Sequence, residues 1–422
     1  DAAKESLLER LEGFLSKHTS GDDLGLRLRG EQLAAGVRFL RLVKEGAYDL
    51  VVANPPYQGT SKMADWKYIE KQYPLGKADL FAAFLERGLQ MVRRGGVSAM
   101  LTMRNWMFIK QYSGLRERLL ETYDIRALGD FAVGAFDEVP NDVLSVVVSV
   151  FHRTPPVLVA SVAQQPTPPD DLSYDRARTE RKRAAALCHV GKYEFDPAAL
   201  KVVPEWPLVY WWDTEFLREY RAGDVIGSLF PARKGLCTGN DTRFHRKWHE
   251  VSSDKLYVSR QFAEPQISVP WYPTIKGGQG KRWFEPLSDI VLWKHDGLQI
   301  HLFDLGSKGV AVRNPDYYFR RGVAFSMIGS SFAARLHRFT SVFGDMGSSV
   351  FPEQISNPLC FMNSRRSKCI LEALNPTVHF QVGDVNRLSV ASIDSHDRVL
   401  VNLEGAFTTH ESHREPSVEF TH

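Results

Sequence analysis

The chain has 422 residues, more than one hydrophobic core usually spans, so two or more domains are expected. Its hydrophobic and charged fractions, 43% and 24%, are typical of a globular protein, and no apolar run approaches the roughly 20 residues that cross a bilayer. The formal charge of +3 neither demands nor excludes a nucleic-acid partner. The composition therefore argues against a membrane protein and leaves the function open.

The start of the chain and its cysteines indicate the setting. The first residue is not Met, and no signal peptide opens the sequence, so we expect an internal fragment of a longer cytoplasmic protein. The four cysteines show no Cys-x-x-Cys spacing and are too sparse for a disulfide framework. We expect reduced thiols with no metal role.

Hydrophobic periodicity predicts the elements in chain order. Two amphipathic helices come first, over 5–17 and 31–45. A short, nearly continuous apolar run follows at 48–53, which predicts a strand buried on both faces. Helices and strands then alternate: helices are expected over 79–93 and 114–122, and strands over 97–103, 125–131 and 143–151. This alternation predicts the α/β class with a doubly wound sheet.

A change of composition marks a domain boundary. The stretch that begins at Thr154 is rich in proline and is followed by a charged segment, which indicates a linker over 154–203. Beyond Pro204 the sequence has many aromatic residues, glycines and short apolar runs. We therefore expect domains over 1–153 and 204–422, the second mixed and rich in strands.

The tetrapeptide Asn54-Pro55-Pro56-Tyr57 directly follows the first predicted strand. Asn and Pro are common in turns, so a strand-ending turn is the simplest interpretation. Its position favours a functional one, because open α/β sheets bind ligands at the carboxyl ends of their strands.

The residue types of this tetrapeptide suit methylation of an amino group. The exocyclic amine of a base is a poor nucleophile, because its lone pair is delocalised into the ring. The Asn54 side-chain oxygen and the Pro55 carbonyl can accept hydrogen bonds from both N–H groups, which would localise electron density on nitrogen. Pro55 and Pro56 stiffen the loop, and Tyr57 offers a flat face on which a flipped base can stack.

Residues 48–57, Tyr-Asp-Leu-Val-Val-Ala-Asn-Pro-Pro-Tyr, resemble the catalytic motif of amino-methyltransferases that act on adenine in DNA. The segment 77–86, followed by Gly95-Gly96, resembles the next helix and turn of that class. The resemblance implies S-adenosylmethionine as cofactor, double-stranded DNA as partner and direct methyl transfer to N6 of a flipped adenine. It also implies that residues 1–153 are the later part of a Rossmann-like S-adenosylmethionine-dependent methyltransferase fold.

The same resemblance implies roles for four further residues. Phe84 would lie against the adenine ring of the cofactor, with Leu80 and Phe81 near the pocket. Phe136 would sandwich the flipped base together with Tyr57. The alternative is that Leu80, Phe81 and Phe84 are core residues and that Phe136 caps the sheet edge.

Four segments of the second domain narrow the family. The segments 234–248, 271–283, 314–320 and 374–377 resemble the large PglX-type methyltransferases of BREX phage-defence systems. This resemblance implies a mixed α+β DNA target-recognition domain over 204–422, with other phage-defence proteins as candidate partners.

Basic residues interleaved with aromatic ones are predicted to bind DNA in the second domain, because cations suit phosphate contact and rings suit base stacking. They are Arg243, Arg246, Lys247, Lys281 and Arg282. The alternative is an aromatic core with a solvated basic rim. The histidines show no zinc-ligand spacing, so no metal site is predicted.

One departure from the family leaves alternatives open. Such enzymes carry a Gly-rich cofactor loop upstream of the catalytic motif, and nothing before Tyr48 matches it. A non-catalytic DNA-binding platform in a phage-defence complex is therefore one alternative. Another is an amino-methyltransferase that acts on glutamine or RNA, although the large second domain argues against it.

Overall fold

The computed structural model describes two compact units. The described residues are 42–137, 144–157, 160–166, 177–263, 265, 269–278, 280–304, 309–329, 331–375 and 379–421, with some single positions before residue 42. Most of the predicted helices over 5–17 and 31–45 lies outside them. The first unit comprises Asp1–Trp106 and Gln111–Ala198, and the second comprises Met107–Lys110 and Ala199–His422.

The first unit is built on one six-stranded sheet. Its strands are β1 (Tyr48–Ala53), β2 (Val92–Met103), β3 (Asp124–Val133), β4 (Ser145–His152), β5 (Ser161–Gln164) and β6 (Lys192–Phe195). Its helices are α1 (Trp66–Gln72), α2 (Leu80–Met91), α3 (Ser113–Thr122) and α4 (Arg178–Leu187). The strands and helices predicted between residues 48 and 152 are thus confirmed, with shifted ends.

The sheet order sets which strand ends meet. Neighbours follow the order β1-β2-β4-β3-β5-β6. β1 and β2 are parallel, and β4 runs antiparallel between β2 and β3. β5 is parallel to β3 and antiparallel to β6. The α/β class is confirmed, the sheet is mixed, and β1, β2 and β3 all end at the same sheet edge.

The prediction that β1 is buried on both faces is wrong. Leu50 is 56% exposed and Val52 is 70% exposed. Among the described residues β1 pairs only with β2, so it is an edge strand. Its apolar side chains therefore lack the neighbours that surround a central strand.

The segment 154–203, expected as a linker, contains β5, α4 and β6. Hydrogen bonding of the sheet continues through it, since Ala127 of β3 pairs with Val162 of β5. The compact first unit accordingly extends to Ala198. The proline-rich composition therefore gave no indication of the two short strands in this segment.

Helix α2 supplies much of the core beside β1 and β2. Phe81, Leu85 and Leu89 recur every four residues and are buried on one stripe. Gly88 lets this stripe approach β2 closely, because a Cβ atom there would lie 2.1 Å from Met100 Cε.

The second unit contains two small sheets and eight helices within its described part. The strands are β7 (His245–Lys247), β8 (Trp271–Ile275), β9 (Asp289–Leu292), β10 (Val323–Phe325), β11 (Ala334–Leu336), β12 (Val342–Phe343) and β13 (Ser349–Val350). The helices are α5 (Thr214–Ala222), α6 (Ile226–Leu229), α7 (Asp241–Phe244), α8 (Lys294–Asp304), α9 (Ser356–Met362), α10 (Arg365–Leu374), α11 (Val382–Asn386) and α12 (His396–Ser412).

The strands of the second unit form the orders β12-β8-β9-β7 and β11-β10-β13. An aromatic core that includes Phe244, Tyr272, Trp293 and Phe343 covers the four-stranded sheet. No helix in the described part of the chain is long and apolar enough to cross a membrane.

His337 is a buried histidine of the second unit. Its ring lies 5.7 Å from that of Phe351, and its Nε2 is 2.9 Å from Ser349 Oγ. Burial, reinforced by the nearby Arg335 charge, lowers the pKa of His337 to about 3. The unfolded chain therefore binds one more proton than the folded chain between that value and the ordinary histidine pKa, so stability falls as the pH falls through this window.

Replacing His337 by Gln is expected to weaken this acid sensitivity. The Gln side chain can keep the contact with Ser349 but cannot be protonated. Below roughly pH 6 the free energy of unfolding of the variant should therefore fall by about 1 kcal/mol less per pH unit than that of the unchanged protein. Urea unfolding at several pH values between 7 and 4 measures it, with His413→Gln, an exposed histidine, as control. Parallel stability curves for His337→Gln and the unchanged protein would contradict the assignment.

Candidate active site at the carboxyl end of β1

The tetrapeptide Asn54-Pro55-Pro56-Tyr57 begins where β1 ends. Pro55 is buried and Pro56 is exposed, while Asn54 is exposed and Tyr57 is half-buried. The loop thus places one proline in the core and keeps its polar side chains accessible. Its position at the carboxyl edge of the sheet agrees with the sequence-based expectation.

Backbone hydrogen bonds fix the loop on its downstream side. The Leu80 amide donates to the Gln58 carbonyl at 2.9 Å, and the Thr60 amide donates to the Ala78 carbonyl at 3.1 Å. The buried Thr60 hydroxyl also donates to the Lys77 carbonyl. These bonds tie the loop to the start of α2, so both of its ends are held by regular structure.

Two oxygen acceptors of the loop are suited to bind an amino group. Asn54 Oδ1 accepts a hydrogen bond from the Tyr57 hydroxyl at 2.9 Å. An amide oxygen has two lone pairs, so it can accept a second bond. In the part of the chain that the structure describes, the Pro55 carbonyl accepts no hydrogen bond. Both oxygens can therefore receive N–H groups.

Tyr57 is held by a second aromatic residue. Its ring meets that of Phe81 edge to face, at a centroid distance of 6.4 Å and an angle of 81°. Phe81 is only 1% exposed, so it supports Tyr57 from the core. The other two candidates on α2 differ in burial: Leu80 is half-buried, whereas Phe84 is 37% exposed. Phe84 is thus not a core residue.

Phe136 is half-buried beyond the end of β3. Two strands, β2 and β4, separate β3 from β1, which corresponds to about 14 Å at the usual strand spacing. No ring contact between Tyr57 and Phe136 is found in the described structure. The base sandwich of these two rings therefore stays a prediction.

Asp79 and Tyr112 support the loop and were not assigned roles from the sequence. The Tyr112 hydroxyl donates to the Asp79 carboxylate, and the Tyr112 ring packs 5.8 Å from that of Phe81. Burial, together with the Asp79 carboxylate, raises the pKa of Tyr112, so its hydroxyl stays a donor. The sequence contains one indication of this contact: Asp79 lies within Lys77-Ala-Asp-Leu-Phe, a segment that was interpreted only by its resemblance to adenine methyltransferases.

A buried ion pair lies at the same sheet edge. Arg104 lies directly after β2, and its Nε donates to both carboxylate oxygens of Asp130 on β3, at 2.7 and 2.8 Å. The Asp130 side chain is 0% exposed and that of Arg104 is 10% exposed. This pair links β3 to the turn after β2, and sequence analysis did not find it.

The predicted DNA-binding cations have partners within the second unit. Lys247 pairs with Asp289 at 3.0 Å, and Lys281 pairs with Glu285 at 3.4 Å. Arg246 donates to two backbone carbonyls and lies over a tryptophan ring. These contacts reduce the charge that is free to meet a phosphate.

Arg243 and Arg282 are the more available members of the set. Both are exposed. The Arg243 guanidinium lies over the ring of Phe303 at 5.3 Å, and that of Arg282 donates to the Ser331 hydroxyl at 3.2 Å. Neither has a carboxylate partner in the described structure.

Two of the four segments that resemble PglX-type methyltransferases are joined by a hydrogen bond, and a third packs against a buried arginine. The Asn314 amide, in a left-handed residue, donates to the Lys234 carbonyl at 2.8 Å and so joins the segments 314–320 and 234–248. Gly278 lies against the buried Arg335 guanidinium, where a Cβ atom would approach Arg335 Cζ to 2.9 Å. These contacts give the segments 234–248, 271–283 and 314–320 a structural role.

Comparison with known proteins places these features in a family context. A sequence family described as Eco57I restriction-modification methylase matches residues 5–136, which include the candidate loop. The adenine-specific methyltransferase PglX of Lacticaseibacillus casei (strain Zhang) is 29% identical over 373 residues, 84% of this chain and 30% of that protein. The predicted resemblance to PglX-type methyltransferases is confirmed.

A second relative gives the same result. The adenine-specific methyltransferase BrxX of Escherichia coli O9:H4 (strain HS) is 28% identical over 357 residues, which is 81% of this chain. The chain spans 30% and 28% of the lengths of these two curated relatives. The alignments therefore cover most of this chain and a minor part of each relative.

A solved structure shares the fold over most of the chain. The Type IIL restriction-modification enzyme MmeI, solved in complex with DNA, matches with a TM-score of 0.52 and 10% identity. The match covers 88% of this chain and 50% of that one. At this identity it bears on the fold alone.

Proposed function

We propose that this chain is the catalytic and target-recognising part of a site-specific DNA methyltransferase that modifies N6 of adenine with S-adenosylmethionine. The observation that carries the proposal is a pair of acceptors on the loop at the carboxyl end of β1: the exposed Asn54 side chain, whose Oδ1 keeps one lone pair open, and the Pro55 carbonyl, which accepts no hydrogen bond in the described structure. The curated relatives, which are adenine-specific methyltransferases, support the same reaction.

The residues of the loop would prepare the amino group for attack. Asn54 Oδ1 and the Pro55 carbonyl accept its two N–H groups, which localises the lone pair on nitrogen and orients it. Tyr57 stacks on the flipped adenine, and its support by Phe81 keeps the ring in place. When bound, S-adenosylmethionine supplies an electrophilic methyl group. The methylated nitrogen is cationic, so it loses its extra proton to water without a dedicated base.

Phe84 fits the adenine ring of this cofactor. Phe84 is 37% exposed on α2, although the same helix buries Phe81 and Leu85 almost completely. An exposed aromatic ring offers a stacking face for a second planar ring. Leu80, half-buried one turn before Phe84, would form part of the same wall.

We assign β1 to β4 to the later part of a Rossmann-like methyltransferase fold. Parallel β1 and β2, with α2 between them in sequence, form the crossover unit of such a fold. Leu50 and Val52 are exposed apolar residues, so the sheet face on which they lie is uncovered within the described structure.

Transfer of radiolabelled methyl from S-adenosylmethionine to unmethylated duplex DNA by the natural full-length protein tests the reaction. We expect label in N6-methyladenine after digestion of the DNA. Label on protein or RNA would instead support the alternative of an amino-methyltransferase that acts on glutamine or RNA. DNA binding without any label would identify a non-catalytic platform.

We further propose that the second unit reads DNA, with Arg243 and Arg282 as phosphate contacts because both are exposed and without carboxylate partners in the described structure. Replacing each by Ala is expected to weaken DNA binding on all sequences and to lower the slope of log affinity against log salt by about 1. Fluorescence anisotropy across salt concentrations measures the slope.

Arg218→Ala is the matched control, because Arg218 is also exposed and pairs with Glu215 on α5. An unchanged slope in both Arg243→Ala and Arg282→Ala would rule these residues out as phosphate contacts. Under this proposal Lys247→Ala changes the slope less, since Lys247 is committed to Asp289.

A further inference from the structure

The Tyr57 hydroxyl makes contacts that base stacking does not require. Its oxygen lies 2.9 Å from Asn54 Oδ1 and 3.4 Å from the Leu101 carbonyl oxygen on β2. Both of these atoms are acceptors, and a hydroxyl has one proton to donate. The shorter distance favours Asn54 as the acceptor.

The Asn54 side chain needs such a donor to have a defined direction. Asn54 is exposed, and the oxygen and nitrogen of an amide have nearly the same size, so rotation of the amide by 180° has little steric cost. The rotated amide would point its own N–H groups at the target amine and repel it. Within the described structure, the Tyr57 hydroxyl is the hydrogen-bond partner of the Asn54 side chain.

The position and protonation of the hydroxyl are themselves fixed. The ring is half-buried against Phe81, which lies in the core. Burial also raises the pKa of Tyr57, so the hydroxyl remains a donor at neutral and mildly alkaline pH. The hydroxyl is therefore held in place as a protonated donor at neutral pH.

We propose that the Tyr57 hydroxyl is a positioning group that sets the direction of the Asn54 amide. By donating to one lone pair of Oδ1, it directs the amide oxygen, and not the NH₂ group, at the amino group of the target base. The second lone pair of Oδ1 then accepts the substrate N–H. This inference rests on the proposed adenine methyltransferase function and assigns the phenol oxygen a role separate from that of the ring.

Replacement of Tyr57 by Phe removes the hydroxyl and keeps the ring. We expect kcat for methyl transfer to fall about fivefold, the effect of one ordinary hydrogen bond, with KM for DNA unchanged because stacking persists. Tyr68→Phe, at an exposed tyrosine of α1, is the matched control. The positioning role is overturned if the natural full-length protein methylates DNA and its Tyr57→Phe variant has the same or a higher kcat.

A second background separates positioning from a general effect of the hydroxyl. A carboxylate has two equivalent acceptor oxygens, so Asn54→Asp has no amide direction to set. In that background Tyr57→Phe is expected to leave kcat within twofold. The same fivefold loss there would show that the hydroxyl acts on the base or on Leu101, and would overturn the proposal.

Single turnover with enzyme in excess keeps slow variants measurable. Should Asn54→Asp transfer no label, Asn54→Ala replaces it, because the Pro55 carbonyl remains and the expectation for Tyr57→Phe is the same. Absence of transfer by the unchanged protein contradicts the proposed function itself. Transfer that is insensitive to Tyr57→Phe contradicts the positioning role alone.

Discussion

Replacing Asn54 by Ala is expected to lower kcat for methyl transfer to adenine by about 10²- to 10³-fold, the cost of removing one preorganised acceptor from a reacting group. Asn54 is exposed, so its truncation leaves no cavity in the core. The folded state and the affinity for DNA should therefore persist. Radiolabel transfer under single-turnover conditions measures the loss, and thermal unfolding confirms that the variant is folded.

Asn402→Ala controls for the substitution itself, because Asn402 is an exposed asparagine on α12. It should transfer methyl groups at the rate of the unchanged protein. An Asn54→Ala variant within threefold of that rate would mean that the amide oxygen does not bind the amino group. The loop would then be a strand-ending turn, the simplest interpretation of its sequence.

The elements near the tetrapeptide Asn54-Pro55-Pro56-Tyr57 were predictable because their signals are local. The four-residue recurrence of Phe81, Leu85 and Leu89 specifies α2, and the β-branched run before His152 specifies β4. The position of the tetrapeptide Asn54-Pro55-Pro56-Tyr57 at the end of β1 was also predicted from the sequence, whereas its catalytic role stays a prediction. Each of these inferences needs only residues adjacent in sequence or on one helical stripe.

Features that depend on tertiary pairing were missed or misjudged. The burial of β1 could not be inferred, because it depends on which strands flank it, and an apolar run looks the same at an edge and at the centre. The support of Tyr57 by Phe81 and of Phe81 by Tyr112 joins residues more than 20 positions apart. Such contacts leave no periodic trace in the sequence.

The basic residues of the second unit show the same limit. Lys247 and Asp289 are distant in sequence, yet they pair because β7 and β9 are adjacent strands. Interleaving of cations with aromatic residues therefore does not distinguish a DNA contact from a surface ion pair. The exposed Arg243 and Arg282 can be singled out only after these partners are known.

The Asp130–Arg104 ion pair is the feature whose disruption should destabilise the first unit most. Replacing Asp130 by Asn leaves the buried Arg104 charge facing a neutral amide, and breaking one partner of a buried pair costs about 3–5 kcal/mol. The Asp130 carboxylate also accepts from the Ala132 amide at 3.2 Å, within the irregular stretch of β3. Denaturant unfolding of the variant measures the loss of stability.

Asp137→Asn is the matched control, because Asp137 pairs with Arg183 at 2.8 Å with side chains 52% and 63% exposed. An exposed pair contributes about 0–1 kcal/mol, so the two Asp→Asn changes should differ by several-fold in their effect. Equal small losses would mean that water reaches Arg104 when Asp130 is neutral. Because Arg104 directly follows β2, which carries the Leu101 carbonyl near Tyr57, Asp130→Asn should also slow methyl transfer in whatever fraction remains folded.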